Sequence, residues 1–140
     1  MGKINMGRVI LGGIVAGIVA NLFEDGLNGY VLADQWRSLM NSINRPALDM
    51  TAVGEFNFMG FVLGIAAVWT YAAIRPRFGA GPRTAFKAAL LVWVLGYLVA
   101  DATPAIMGVF PFTLACLLLI VGLVEIVVAT FAGAWFYKEA

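Results

Sequence analysis

One carboxylate lies in the middle of the most apolar stretch of this sequence. Glu125 is the only charged residue between positions 112 and 137. A charged side chain at the centre of a membrane costs about 2.5–3.5 kcal/mol on insertion scales. No Lys or Arg is expected at the same depth, so we expect the acid to be mostly protonated. Its predicted partners are the neutral side chains of Asn21 and Tyr97, at a similar or slightly outer depth.

Three roles are open for this acid. A protonated Glu125 can tie its helix to a neighbouring helix through a hydrogen bond. It can instead bind and release a proton or a cation, as acids within membrane helices do in transporters. It can also face a bound ligand or pigment.

Most of the other acids lie near the predicted outer ends of the helices. Six of the eight acidic residues of the sequence are placed there: Glu24, Asp25, Asp34, Asp49, Glu55 and Asp101. Together with neutral polar residues they predict an acidic, amide-lined vestibule; those residues are Asn21, Asn28, Asn57 and Thr103. Asp101 follows Tyr97 by one helical turn, so the spacing allows a hydrogen bond between the two.

Two interpretations of the vestibule remain open. Oxygen ligands favour hard cations such as Ca²⁺, Mg²⁺ or Mn²⁺. No D-x-D motif and no carboxylate pair three or four residues apart occurs in the four helices, so a cation site would need ligands from several helices. The acids can instead cap the helix ends in water. No metal ligand is therefore assigned.

The sequence offers little for enzyme catalysis. It contains no histidine, which removes the usual zinc ligand and the base of a catalytic triad. The single cysteine, Cys116, lies in an apolar run and is typical of a small buried residue. No GxSxG, HExxH or phosphate-binding glycine loop occurs. We predict no catalytic residue and no enzymatic activity, and the sequence specifies no cofactor.

Hydrophobicity predicts an integral membrane protein. Of the 140 residues, 62% are hydrophobic, against about 45–50% in soluble domains. Four segments are long enough to cross a membrane as helices, at about 9–28, 54–74, 88–107 and 112–137. We predict that residues 1–140 form one all-α domain, a four-transmembrane-helix bundle. Between the first two spans, apolar residues at helical spacing predict a short amphipathic helix in the outer interface, anchored by Trp36.

The basic residues predict the orientation. Seven of the nine lie on one side of the predicted topology: Lys3, Arg8, Arg75, Arg77, Arg83, Lys87 and Lys138. Basic loops favour the cytoplasmic side, so both termini are predicted in the cytoplasm. The basic turn after the second span suits contact with anionic lipid headgroups, or serves as a topology signal alone. Trp135, Phe136 and Tyr137 predict an aromatic belt at the same end.

Small residues recur at helical spacing in three of the spans. The pairs are Gly13 and Gly17, Gly60 and Gly64, and Ala129 and Gly133. Small residues at this spacing let helix backbones approach closely in membranes, within the chain or against a partner. Glu24 continues the first stripe, and Glu125 shares a face with Gly122. Polar side chains are therefore predicted to point into the bundle.

The segment LNGYVLADQWRSLMNSI after the first span and the aromatic, basic end GAWFYKE accompany a four-span plan. In these features the chain resembles small bacterial four-helix integral membrane proteins of uncharacterised function. The resemblance implies a fold and no activity.

Two functions are therefore predicted. The first is a non-catalytic structural or accessory component of a membrane assembly; its partners are the lipid bilayer and other membrane subunits or further copies of the chain, and not nucleic acid. The alternative is a small proton- or cation-coupled transporter or binding protein. Its site is Glu125 below the acidic vestibule, with these candidate residues: Asn21, Glu24, Asn57, Tyr97 and Asp101.

Overall fold

The computed structural model describes residues 3–139, which form helices and no strand. The α-helices are α1 (Met6–Gly26), α2 (Ala33–Ser42), α3 (Met50–Phe78), α4 (Pro82–Trp93), α5 (Val99–Ile106) and α6 (Phe112–Phe136). A π-helical segment, Leu27–Val31, extends α1. A second, Val94–Leu98, joins α4 and α5 into one continuous helix.

Four continuous helices in the described chain are long and apolar enough to cross a membrane: Met6–Val31, Met50–Phe78, Pro82–Ile106 and Phe112–Phe136. The predicted all-α, four-helix membrane fold is confirmed. The second span is longer at both ends than its apolar run. Asp49 caps its start by accepting a hydrogen bond from Ala52 N–H at 2.9 Å. Gly79 ends it with a φ of 83°, a conformation that favours glycine.

The helix α2 covers one end of the bundle. Leu32 and Leu39 on its apolar face are buried in a cluster with Leu114 of α6. Its polar face carries the exposed ion pair between Asp34 and Arg37, at 2.8 Å. The amphipathic helix predicted between the first two spans is confirmed, and burial of its apolar face holds it against α6.

The central helix α1 contacts its two neighbours through glycines. On one side, Gly64 of α3 lies against the α1 backbone: a Cβ at this position would be 2.5 Å from Gly17 N and 2.6 Å from Gly13 O. On the other side, a Cβ at Gly12 would be 2.5 Å from the carbonyl oxygen of Gly133 in α6. The small-residue stripes therefore serve contacts within the chain, where backbones meet without intervening side chains.

The two ends of the bundle differ in charge. We call one the basic end: it carries the N-terminal segment, the turn 79–81 between α3 and α4, and the segment after α6. We call the other the acidic end: it carries α2 and the turn 107–111 between α5 and α6. The α1 and α6 chains run in opposite directions between these ends.

Tyr137 at the basic end does not belong to an aromatic belt. Its side chain is buried, with its ring 6.0 Å from the Tyr71 ring in an edge-on arrangement. The Arg75 guanidinium lies 5.6 Å from the Tyr137 ring centroid. That part of the prediction is wrong because the chain leaves α6 in an extended conformation at Tyr137, which turns this ring inward. Trp135 and Phe136 are exposed, as a belt requires.

Candidate functional site

The acid in the middle of α6 is enclosed by the bundle. Glu125 is 1% exposed, and the Tyr97 hydroxyl donates a hydrogen bond to its Oε1 at 2.5 Å. Its other oxygen, Oε2, is buried and receives no hydrogen bond from residues 3–139. Neither ion pair found among these residues, Arg37 with Asp34 or Arg75 with Glu139, involves Glu125. The acid is therefore held by a neutral donor rather than a cation.

A glycine makes room for the tyrosine that holds Glu125. A Cβ at Gly122 would be 2.8 Å from Tyr97 Cε1, so the ring lies directly on the α6 backbone. Gly122 precedes Glu125 by about one turn, on the same face of α6. Tyr97 itself lies in the π-helical segment Val94–Leu98, where Val99 N–H donates to Val94 O. Such segments recur at functional sites in helical proteins.

A second carboxyl approaches Glu125 from α1. The Glu24 carboxyl is near enough to Glu125 for the charge of one to act on the other. Gly12 of α1 and Gly133 of α6 are in contact and therefore lie at the same depth in the bundle. Measured along the helix axes from that depth, Glu24 lies about 18 Å and Glu125 about 12 Å toward the acidic end. Side chains lean toward the N-terminus of their own helix, so in these antiparallel helices the two carboxyls lean toward each other.

An amide connects Glu24 to the helix that covers the acidic end. The Asn28 amide nitrogen donates a hydrogen bond to Glu24 Oε2, and Asn28 Oδ1 accepts one from Trp36 Nε1 at 2.8 Å. The Trp36 ring lies edge-on to Phe110, with the ring centroids 5.6 Å apart. We refer to Tyr97, Glu125, Glu24 and Asn28 as the acid cluster.

Asp101 lies beside the acid cluster without bonding to Tyr97. It is half-buried on α5, and its charge is within electrostatic range of Glu24. The predicted hydrogen bond from Tyr97 to Asp101 is replaced by the bond to Glu125, because a tyrosine hydroxyl has one proton to donate. Three helices thus each bring one acid to this region.

Asn21 and Asn57 form a separate polar contact. Asn21 Nδ2 donates to the carbonyl oxygen of Asn57 at 3.0 Å, and Asn57 Nδ2 donates to Asp25 Oδ1 at 3.1 Å. The pairing of Asn21 with Glu125 is therefore not found. Asn21 lies about 60° around α1 from Glu24, since successive residues are about 100° apart, and this places it against α3. Gly60 admits it there, because a Cβ at Gly60 would overlap Asn21 Oδ1.

The remaining predicted vestibule residues lie outside the acid cluster. Asp34 pairs with Arg37, Asp49 caps α3, and Glu55 is exposed on α3. Thr103 donates back to the Val99 carbonyl in its own helix, at 2.8 Å. Within residues 3–139, no group of three or more His, Cys, Asp or Glu residues is arranged to hold a metal ion. The acid cluster brings two carboxyls, a tyrosine hydroxyl and an amide together in a largely buried region.

The bond from Trp36 to Asn28 was missed by the sequence reasoning. Asn28 follows Glu24 by four residues, a spacing that brings two side chains together on a helix, so their contact had a local signal. The contact of Trp36 with Asn28 had no signal in the local sequence, because the indole N–H reaches Asn28 only after α2 folds back over the bundle. No family model matches this chain, and no curated protein or solved structure matches it either, so the acid cluster is defined by its own geometry alone.

Proposed function

We propose that this chain is a small proton-coupled membrane protein in which Glu125 and Glu24 hold an exchangeable proton. The observation that carries the proposal is a second carboxyl close to a buried acid that has no basic partner. Two carboxyls can hydrogen-bond only when at least one is protonated. Two carboxylates so close in an apolar interior would repel each other strongly. The pair is therefore a place where one proton is held and can be passed on.

The proton enters and leaves from the acidic end. On that side Glu24 is half-buried, is bonded to Asn28 and lies near the half-buried Asp101. On the side of the basic end, the interior beyond Glu125 is filled by fully buried small and apolar residues: Ala16, Val68, Ile126 and Ala129. This layer is mostly apolar, with the buried hydroxyl of Thr130 as a polar group within it. A mostly apolar layer conducts protons poorly, so in the described conformation protons reach Glu125 from the acidic end.

We place the chain in a bacterial inner membrane, with the basic end in the cytoplasm and the acidic end outside. The supporting observation is the concentration of seven basic residues at the basic end, which the positive-inside rule assigns to the cytoplasm. Bacterial origin rests on the resemblance to small four-helix bacterial membrane proteins. With this orientation, protons reach Glu24 from the outside.

A structural or accessory role in a larger membrane assembly stays a prediction. The prediction of this role was based on the stripes of small residues, which are suited to contact with helices of a partner protein. In the described chain these glycines meet α1, α3 and α6 of the same molecule. The stripes thus support the fold of the monomer, and the proton-coupled function has the more specific support.

The test is infrared spectroscopy of the reconstituted protein, following the C=O band of protonated carboxyls as pH is varied. The wild-type protein is expected to show a band of protonated carboxyl that weakens as the pH is raised and that disappears in Glu125→Gln. Glutamine keeps the acceptor for Tyr97, so this variant retains the fold. Glu55→Gln, which removes an exposed acid of α3, is the matched control and should leave the band unchanged.

Proton flux into liposomes under an imposed membrane potential provides a second measurement. Flux across the membrane requires a second conformation that opens the layer toward the basic end, and the proposal includes this alternation. Wild-type and Glu55→Gln liposomes should then acidify at the same rate, and Glu125→Gln liposomes at the rate of empty ones. A carboxyl band that does not respond to pH, together with unchanged flux in Glu125→Gln, would overturn the proposal and leave a structural role for the acid.

A further inference from the structure

A groove on the surface of the basic end lies between α4 and α6. It has a volume of about 450 Å³ and is lined by Pro82, Arg83, Phe86, Lys87 and Phe131. The side chains of Arg83 and Lys87 are exposed, as are those of Phe86 and Phe131. The wall of the groove is almost entirely apolar, so Arg83 and Lys87 line it with the carbon stems of their side chains and carry their charges beside it.

The groove extends from the basic end toward the middle of the membrane. Arg83 is in the first turn of α4, and Lys87 lies one turn further into the bundle, about 6 Å away along the axis. Phe131 of α6 lies about 8 Å inside the end of its helix at Phe136. Lys87 and Phe131 thus start at similar depths, and their side chains lean apart. Lys87 leans toward the N-terminus of α4, where its ammonium meets Phe78 at the basic end, and Phe131 leans toward the N-terminus of α6, deeper in the membrane.

Both cations are available to an anion. Among residues 3–139, the two ion pairs do not include Arg83 or Lys87. The Lys87 ammonium lies 3.8 Å from the centroid of the Phe78 ring, a cation–π contact that holds it beside the groove. Such a contact orients the ammonium and leaves its N–H donors free for a further partner.

We propose that this groove binds one anionic phospholipid. The phosphate is held by Arg83 and Lys87, and one acyl chain lies along Phe86 and Phe131. Charge complementarity selects the anionic headgroup, and the apolar wall that continues into the membrane selects a molecule with a tail. The site is separate from the acid cluster, so this inference stands independently of the proposed function.

Native mass spectrometry of the detergent-solubilised protein tests the headgroup. Phosphatidylglycerol or phosphatidylcholine with the same acyl chains is added, and the bound fraction of each is measured. The wild-type protein should prefer phosphatidylglycerol, and the double variant R83Q/K87Q should lose about 30-fold of that preference, the sum of two basic residues near an anionic lipid. R77Q is the matched control: Arg77 is an exposed cation of the same end that does not line the groove.

A second pair of variants tests the tail. F131A should weaken binding of phosphatidylglycerol, whereas F136A, which removes an equally exposed ring outside the groove, should not. Glycerol phosphate, which has the headgroup chemistry without a tail, should not displace the bound lipid. The proposal is overturned by equal binding of the two lipids, by a preference that survives R83Q/K87Q, by an equal loss in R77Q, or by displacement with glycerol phosphate.

Discussion

Tyr97 and Glu125 meet in the interior of the bundle, where the tyrosine hydroxyl donates a 2.5 Å hydrogen bond to Glu125 Oε1. The bond joins the third and fourth spans at a depth where the neighbouring side chains are apolar. It satisfies one oxygen of a buried acid and leaves the other without a hydrogen-bond partner among residues 3–139. This pair therefore serves both the stability of the bundle and the chemistry proposed for it.

Removal of the Tyr97 hydroxyl should weaken the bundle without removing its ring. We expect Tyr97→Phe to lower the free energy of unfolding by about 1–3 kcal/mol, because Glu125 loses its donor in a buried position. Unfolding in mixed detergent micelles, followed by circular dichroism, measures the change. Tyr30→Phe is the control. Tyr30 is 87% exposed, so this variant should have the same free energy of unfolding as the wild-type protein. Equal stability of all three proteins would contradict the importance of this bond.

A methyl group at Gly122 should displace the Tyr97 ring. We expect Gly122→Ala to cost about 1–3 kcal/mol of unfolding free energy, because the new Cβ would lie within 3 Å of the ring. The same change at Gly26, where a Cβ would have no neighbour within 4 Å, should be neutral or slightly stabilising. The carboxyl infrared band should also change in Gly122→Ala and stay unchanged in Gly26→Ala. Matching bands in both variants would show that the ring does not need this space.

The proton held by Glu125 should depend on Glu24. We expect Glu24→Gln to move the pH midpoint of the carboxyl infrared band, because the Glu24 carboxyl acts electrostatically on Glu125. Glu55→Gln should leave the midpoint unchanged, since Glu55 is exposed on α3. In a double-mutant cycle, the stability effects of Glu24→Gln and Glu125→Gln should depart from additivity by about 0.5–3 kcal/mol. Additive effects with an unchanged midpoint would show that the two carboxyls act independently.

The orientation predicts which end of the chain is reached from outside a cell. In a Cys116→Ala background, a membrane-impermeant maleimide should label Ser38→Cys on α2 in intact cells. Lys138→Cys after α6 should be labelled only after the membrane is permeabilised. Both positions are exposed, so accessibility reports the side of the membrane rather than burial. The opposite labelling pattern would reverse the orientation and place the acid cluster open to the cytoplasm.

Hydrophobic length and helical spacing determined much of this protein without a structure. The four spans, the amphipathic helix α2 and the depth of Glu125 follow from the order of apolar and polar residues along the chain, because a membrane demands a minimum apolar length and satisfied backbone groups. The glycine stripes indicated which faces would come together. These are local properties, and each can be read within one helix.

The partners of the polar side chains were decided only by the tertiary structure. Asn21 and Glu24 are three residues apart in α1, yet the first contacts α3 and the second reaches Glu125. The contacts between side chains of two helices depend on the axial offset of the helices and on the rotation of each about its own axis. For α1 and α6 the contact between Gly12 and Gly133 fixes both quantities. Such contacts join residues far apart in sequence, so no spacing along a single helix specifies them.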